Sequence, residues 1–214
     1  MSDGIVKFHN AQIYNHLDIR KQLHRSWAGR SDTEILIEAF DEWGISKTLK
    51  KCVGMFAFAV WDKHSKTLTL GRDRFGEKPL YWGMQKNSLI FGSELKSLTK
   101  HPDFLGEIDP ESVKAFTRFS YVPAPKTIYK KIYKLMPGTT ISFDATNLGA
   151  SPIENIYWSA TSQIQYGNLN PYRGIEDSAI NQLDTLLQDS IKSQSIADVP
   201  TGAFLSGGID SSTV

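Results

Sequence analysis

The sequence lacks the features of a secreted, membrane or nucleic-acid-binding protein. Its 214 residues contain one cysteine, Cys52, so no internal disulfide can form. No apolar run approaches the roughly 18 residues that a membrane helix needs, and the polar start Met1–Gly4 lacks the layout of a signal peptide. Lysine plus arginine (24) nearly balances aspartate plus glutamate (23), without a basic or acidic block. We therefore expect a cytoplasmic protein that acts on small neutral or zwitterionic molecules, with no nucleic acid and no membrane as partner.

The chain is long enough for one domain and part of a second, and 40% of its residues are hydrophobic. Residues 5–8 have the pattern of a strand. Ser31-Asp32-Thr33-Glu34 has the S-x-x-E form of a capping box, and apolar residues at helical spacing follow it as far as Trp43. Asp109-Pro110 predicts the start of another helix, which ends near Phe119.

Short strands are predicted at residues 55–61, 67–72, 80–85 and 88–93, and we interpret them as an antiparallel meander. A further strand is predicted at Thr139–Phe143. Residues 147–173 are rich in Asn, Ser, Pro, Gly and Tyr without periodicity, which is typical of a linker. An apolar stripe from Ile175 to Ile191 then predicts a helix, and Ala203–Leu205 predicts a short strand.

A glycine-rich turn, Ser206-Gly207-Gly208-Ile209-Asp210-Ser211-Ser212, follows that strand. Successive glycines let backbone N–H groups converge on an anion, and serines add hydroxyl donors. The lysine of a Walker loop is missing. For two glycines with serines alone, an ordinary strand-to-helix turn is the alternative. The full segment resembles the S-G-G-x-D-S loop of the ATP pyrophosphatase family, and that resemblance implies ATP contacts from Leu205, Ser206, Gly207, Gly208, Asp210 and Ser211.

Further blocks resemble the asparagine synthetase branch of the class II glutamine amidotransferases. Asn10–His16 (N-A-Q-I-Y-N-H) resembles the family's N-G-E-I-Y-N-H, and Gly29–Glu34 resembles its G-x-S-D-T-E. The remaining blocks are Gly54–Ala59, Arg72–Tyr81, Tyr121–Pro125 and Leu135–Gly138. The resemblance covers nearly the whole chain.

The resemblance implies an incomplete glutamine amidotransferase domain at residues 1–145, a linker at 146–173, and the start of an ATP pyrophosphatase domain at 174–214, in a chain cut at both ends. The fold that it implies is α/β. We expect the αββα sandwich of the N-terminal-nucleophile hydrolases, followed by the beginning of a Rossmann-like domain.

Four residues match the family's glutamine pocket. Asn10 matches an asparagine whose side-chain amide stabilises the oxyanion. Ala11 replaces a glycine, and Gln12 replaces a glutamate that pairs with the substrate ammonium, so a charged contact becomes neutral. Asp32 matches the remaining carboxylate for that ammonium. A turn role for Asn10 and a helix-start role for Asp32 stay open.

The family's nucleophile is an N-terminal cysteine whose own amine acts as base. No residue here matches it, because Cys52 lies mid-chain, where a structural thiol is expected. We therefore assign no catalytic residue and expect the chain as given to be inactive. Asp73, flanked by Arg72 and Arg74, is interpreted as part of a structural ion-pair network.

The reaction that the resemblance implies for the parent enzyme is ATP-dependent amidation of aspartate with glutamine nitrogen, by a carbon–nitrogen ligase. That enzyme would use ATP with Mg²⁺. We expect no tightly bound cofactor or metal in the present chain, and a homodimer is a possible assembly. Two alternatives stay open. A β-lactam synthetase-like ligase has no working glutaminase, which would suit Ala11 and Gln12, and the chain could also be a non-catalytic remnant of a gene.

Overall fold

The computed structural model describes residues 5–196, 199–200 and 202–213. The chain divides into two compact units, Met1–Ser162 and Gln163–Val214. The strands, all in the first unit, are β1 (Ile5–Ile13), β2 (Gly54–Asp62), β3 (Thr67–Arg72), β4 (Tyr81–Gln85), β5 (Ser88–Gly92), β6 (Tyr133–Lys134), β7 (Thr139–Asp144) and β8 (Ile153–Ile156). The helices are α1 (His16–Gln22), α2 (Asp32–Trp43), α3 (Ile45–Lys51), α4 (Leu95–Leu98), α5 (Pro110–Phe119), α6 (Ala160–Leu169), α7 (Glu176–Gln194) and α8 (Ile209–Thr213).

The larger of two antiparallel sheets has the strand order β1-β2-β3-β7-β8. Its strand β2 is buried on both faces, because side chains alternate along a strand and each face meets another layer. Phe56, Phe58 and Val60 pack with α1, α2 and α3 in a helix-side core. Ala57 and Ala59 belong to a second core on the opposite face.

The smaller sheet has the order β5-β4-β6 and packs on that opposite face. Leu80 and Leu135 meet Leu70 and Phe143 of the larger sheet there, so the core lies between the two sheets. The prediction of a single meander is therefore wrong at the connection between β3 and β4. Strands β3 and β4 are consecutive in the chain, but they belong to different sheets, since the loop between them carries the chain across the core.

Local sequence motifs correctly predicted where two helices begin. Helix α2 begins as predicted, with the Ser31 hydroxyl accepting a hydrogen bond from the Glu34 N–H at 3.2 Å. Helix α5 begins after Asp109, whose carboxylate accepts from the Glu111 N–H, and it carries Pro110 at its start. The α5 helix ends at Phe119, and the C-cap residue Ser120 adopts a left-handed conformation (φ 62°). No helix in the described ranges is both long and apolar enough to cross a membrane.

The interval predicted as a linker contains regular structure. Strand β8 pairs with β7 in the register Ile141↔Glu154, and the Tyr157 N–H donates to the Gly138 carbonyl at 2.9 Å. The first part of the interval is therefore attached to the larger sheet. A four-residue exposed strand is too short for a pattern of alternating hydrophobicity to indicate it.

In the second unit, α7 agrees with the predicted helix, and its apolar residues Ile180, Leu183 and Leu187 are exposed. The predicted strand at Ala203–Leu205 is wrong, since these residues form no regular element. A strand needs a neighbour to accept its hydrogen bonds, and the described residues of this unit supply none. Phe204 is fully exposed as a result.

Candidate functional site

The end of strand β1 carries three of the four predicted pocket residues. Asn10, Ala11 and Gln12 pair with Ala57, Phe56 and Met55 of β2, respectively. Because neighbouring residues of a strand face opposite ways, Asn10 and Gln12 lie on one face and Ala11 on the other. The Ala11 side chain packs against the helix-side core, so its methyl group points away from the face of Asn10 and Gln12.

The fourth predicted residue, Asp32, is joined to this strand end. It is the first residue of α2, and its Oδ2 atom accepts a hydrogen bond from the backbone N–H of Ile13 at 3.1 Å. Ile13 directly follows Gln12. The half-buried Asp32 carboxylate therefore lies at the end of the segment that holds Asn10 and Gln12.

Two residues that the sequence motif contained, without a predicted role, shape the turn after β1. The Asn15 side chain accepts from the Val53 N–H at 2.8 Å and donates to the Lys51 carbonyl at 2.9 Å. His16 Nδ1 lies 2.8 Å from the Ile13 carbonyl oxygen. Asn15 therefore connects the turn after β1 to the residues just before β2, and His16 bonds back to the end of β1. The signal for Asn15 was its place directly after a strand, where a side-chain amide can bond to backbone groups.

The reciprocal half of the predicted capping box is absent. In a full capping box the glutamate carboxylate returns to the backbone N–H of the cap residue. Here the Glu34 carboxylate accepts instead from the N–H groups of Ala28 at 2.7 Å and Gly29 at 2.8 Å. The Glu34 side chain therefore holds the loop in front of α2, whereas a capping box would hold only the cap residue Ser31.

The predicted ion-pair network around Asp73 is wrong. The carboxylate of this fully buried residue accepts hydrogen bonds from four backbone N–H groups at 2.9–3.2 Å. Their donors are Phe56, Phe75, Glu77 and Lys78. A carboxylate with this many N–H donors is well compensated without a cation. Sequence proximity to two arginines suggested ion pairing, but the chain folds around Asp73 and supplies its own amides.

The Arg72 guanidinium bonds to backbone carbonyls in the same region. It donates to the carbonyl oxygens of Lys78 at 2.8 Å, Leu135 at 2.7 Å and Gly76 at 2.6 Å. Burial, the largest cause, lowers the pKa of Arg72, while the nearby Asp73 charge acts in the opposite direction. Arg72 and Asp73 therefore build the crossover between the two sheets, and they have a structural role.

Cys52 is 2% exposed and packs in the helix-side core. Burial raises the pKa of its thiol to about 12, although the Arg74 charge partly opposes this. A buried thiol that stays protonated is a poor nucleophile. This supports the structural role expected for Cys52.

The glycine-rich turn of the second unit is closed by its own serines. Ser206 Oγ and Ser211 Oγ lie 2.9 Å apart, and the Ser206 N–H donates to Ser211 Oγ at 3.3 Å. Gly207 has φ 76°, a value that favours glycine. Residues Leu205 to Asp210 are exposed, and Ser211 is half-buried. In the described part of the chain no group of three or more His, Cys, Asp or Glu residues could hold a metal ion.

Comparison with known proteins gives matches for both units. A family described as "Glutamine amidotransferase domain" matches residues 2–158, and one described as "Asparagine synthase" matches residues 182–214. The chain is 33% identical over 214 residues to a putative asparagine synthetase [glutamine-hydrolyzing] 2 of Methanocaldococcus jannaschii, covering 98% of this chain and 39% of that protein. It is 32% identical over 222 residues to asparagine synthetase [glutamine-hydrolyzing] 3 of Bacillus subtilis, covering 99% and 33%.

The chain therefore spans between a third and two fifths of the length of these relatives. A solved structure, the glutamine phosphoribosylpyrophosphate amidotransferase of B. subtilis complexed with ADP and GMP, is 18% identical with a TM-score of 0.49. The likeness covers 73% of this chain and 30% of that one.

Proposed function

The chain belongs to the glutamine amidotransferase domain family, and we propose that its first unit binds glutamine as part of an asparagine synthetase-like protein. The predicted N-terminal-nucleophile fold class agrees with this membership and with two packed sheets covered by helices. The Rossmann-like character of the later residues and the domain limits at 145 and 173 stay predictions.

The observation that carries the proposal is the hydrogen bond between Asp32 and Ile13. It places the only carboxylate among the four predicted pocket residues beside the Asn10–Gln12 segment, although α2 and β1 are separated in the chain. In the proposed pocket Asp32 holds the α-ammonium group of glutamine. The Asn10 amide donates to the oxygen of the side-chain amide, where negative charge would develop during hydrolysis. Gln12 contributes a neutral polar contact.

Binding and hydrolysis are separate in this proposal. Hydrolysis requires a nucleophile with an activating base, and the buried, protonated Cys52 does not provide one. Residues 1–214 should therefore bind glutamine and release no ammonia from it. The parent reaction that we propose is the amidation of aspartate at the expense of ATP, which would take place in the cytoplasm.

The glycine-rich turn is the proposed ATP contact of that reaction. The positive φ of Gly207 and the grouped hydroxyls of Ser206 and Ser211 fit a phosphate. Residues Leu205, Gly208 and Asp210 complete the proposed set. Mg²⁺ would arrive on the nucleotide, since this ion is often held through substrate phosphates with only one or two carboxylates.

Titration calorimetry with residues 1–214 tests the binding proposal. The ligands are L-glutamine, D-glutamine and glutaramic acid, which is glutamine without its α-amino group. We expect L-glutamine to bind in the millimolar range and the other two more weakly, with no ammonia released. Equal binding of all three ligands, or no binding of L-glutamine, would refute the proposed pocket.

A further inference from the structure

We propose that Glu34 is a positioning residue, which clamps the loop before α2 and so aims the Asp32 carboxylate at the ammonium group of the substrate. The inference deepens the proposed function and rests on it. It assigns a role to a residue whose hydrogen bonds are with Ala28, Gly29 and Ser31 rather than with Asp32. It predicts an effect on ligand discrimination rather than on folding alone.

The Glu34 carboxylate forms a two-point contact with the loop. One oxygen accepts from the Ala28 N–H at 2.7 Å and the other from the Gly29 N–H at 2.8 Å. Hydrogen bonds to a charged acceptor are short and strong, and a paired contact also fixes direction. A Cβ atom at residue 29 would lie 3.0 Å from Glu34 Oε2, so glycine allows the carboxylate its close approach.

A second helix holds the same loop from the other side. The Arg20 side chain of α1 donates to the Gly29 carbonyl at 3.0 Å. Its guanidinium also lies over the Trp27 ring, 4.7 Å from the ring centroid, and Trp27 packs against the helix-side core. The backbone of Gly29 is thus bound on both sides: its N–H donates to Glu34, and its C=O accepts from Arg20.

The loop segment held by Glu34 and Arg20 is followed almost directly by Asp32. Only Arg30 and Ser31 separate Gly29 from Asp32, and the Ser31 hydroxyl accepts from the Glu34 N–H. At the other end, Asp32 Oδ2 accepts from the Ile13 N–H. A two-residue connection held at both ends has little freedom, so the direction of the Asp32 carboxylate depends on Glu34. Misplacing a binding group by about 1 Å is known to have large effects at such sites.

Glu34→Gln is the test variant, because an amide keeps the side chain's size but turns one acceptor into a donor that faces an N–H group. Glu38→Gln is its matched control. Glu38 lies one turn further along α2, and its carboxylate is 3.7 Å from Arg25 Nε, away from the loop. Arg20→Gln, which removes the opposite half of the clamp, is a second variant. Calorimetry with L-glutamine and glutaramic acid gives the discrimination ratio for each protein.

We expect Glu34→Gln and Arg20→Gln to weaken L-glutamine binding by about five- to tenfold and glutaramic acid binding by less than about twofold, on the scale of one charged hydrogen bond. Glu38→Gln should match the unaltered chain. A merely structural role would weaken both ligands equally, and that result overturns the inference. If the unaltered chain itself does not prefer L-glutamine, the proposed ammonium site is wrong as well. If it does and both variants keep the preference, only the positioning role is wrong.

Discussion

The backbone N–H of Ile13 donates to Oδ2 of Asp32 at 3.1 Å, so the last residue of β1 and the first residue of α2 are bonded to each other. One carboxylate oxygen therefore has a structural role, while the charge of the group remains available to a ligand. The structural and the binding contributions of Asp32 are separable, because an amide oxygen can still accept from the Ile13 N–H.

Asp32→Asn should keep the fold and lose most of the glutamine affinity. The variant retains the hydrogen bond to Ile13 but removes the negative charge proposed to pair with the ligand's ammonium group. A hydrogen bond to a charged partner contributes roughly 1.5–3 kcal/mol, so we expect L-glutamine to bind about 10- to 100-fold more weakly. Calorimetry measures this. Asp41→Asn, on the same helix and in contact with Arg25, is the control and should bind normally.

Gln12→Glu should strengthen L-glutamine binding by about five- to tenfold, because a neutral contact becomes a charged one. Glutaramic acid, which has no ammonium group, should gain nothing. Gln22→Glu, the same change on the exposed part of α1, is the control. An equal gain for both ligands would show that residue 12 does not face the ammonium group.

Ala11→Gly should not improve binding, in contrast to Gln12→Glu. The Ala11 side chain packs against the helix-side core and pairs with Phe56 in ordinary strand geometry. Removing its methyl group should destabilise the first unit by about 0.5–1 kcal/mol, as glycine does within a strand. Urea unfolding followed by tryptophan fluorescence measures this loss. A clear gain in glutamine affinity would show that the methyl group obstructs the pocket.

Local sequence signals predicted single elements well, and β3 (Thr67–Arg72) agrees at both ends. Helices α2 and α5 were predictable because each has a cap residue beside its first turn. The assignment of β3 and β4 to different sheets was not predictable from local pattern, since it depends on the loop that folds around Asp73. Similarly, the resemblance predicted Asn10 and Asp32 as candidate pocket residues, but not the Ile13 hydrogen bond that joins their elements.

Asp73→Asn should be among the most destabilising substitutions in the first unit. Each Asp73 oxygen accepts from two backbone N–H groups, and an amide would direct its own N–H group at two of these donors. We expect a loss of about 3 kcal/mol in the free energy of unfolding, on the scale of a disrupted buried network. Asp144→Asn is the control. That exposed carboxylate accepts from Thr146 in a turn, and its loss should cost below about 1 kcal/mol.

ATP should bind residues 1–214 no more tightly than the millimolar range. Residues Leu205 to Asp210 are exposed, and the helix α8 that begins at Ile209 has five residues. A binding site normally encloses most of its ligand, and this turn encloses little. Calorimetry with ATP and Mg²⁺ checks the expectation, with Ser206→Ala as the comparison. Micromolar binding that Ser206→Ala abolishes would contradict it.

Cys52 should make the first unit less stable as the pH rises from about 9 to 12. In the folded chain burial raises the pKa of the thiol to about 12, whereas its ordinary value is 9.0. Below pH 9 both states keep the proton, and the thiol contributes no pH dependence. Above pH 9 the unfolded chain loses the proton while the folded chain keeps it, so unfolding becomes more favourable with rising pH. The loss should approach about 1 kcal/mol per pH unit.

The measurement is urea unfolding of the chain and of Cys52→Ala between pH 7 and 11, followed by tryptophan fluorescence. All five tryptophans lie in the first unit, so the signal reports that unit alone: Trp27, Trp43, Trp61, Trp82 and Trp158. At pH 7 the variant should be less stable by about 1–2 kcal/mol, because a buried side chain has been shortened. Tyr157 is present in both proteins; burial is the largest cause that raises its pKa and the Cys52 charge is the last, so only a small part of its contribution differs between them. The difference in the free energy of unfolding between the two proteins should therefore be constant up to about pH 9, then shrink as the thiol of the unfolded parent ionises, and close or reverse by pH 11. A gap that stays constant to pH 11 would mean that the folded thiol ionises as readily as a free one, and that Cys52 is accessible rather than part of the core.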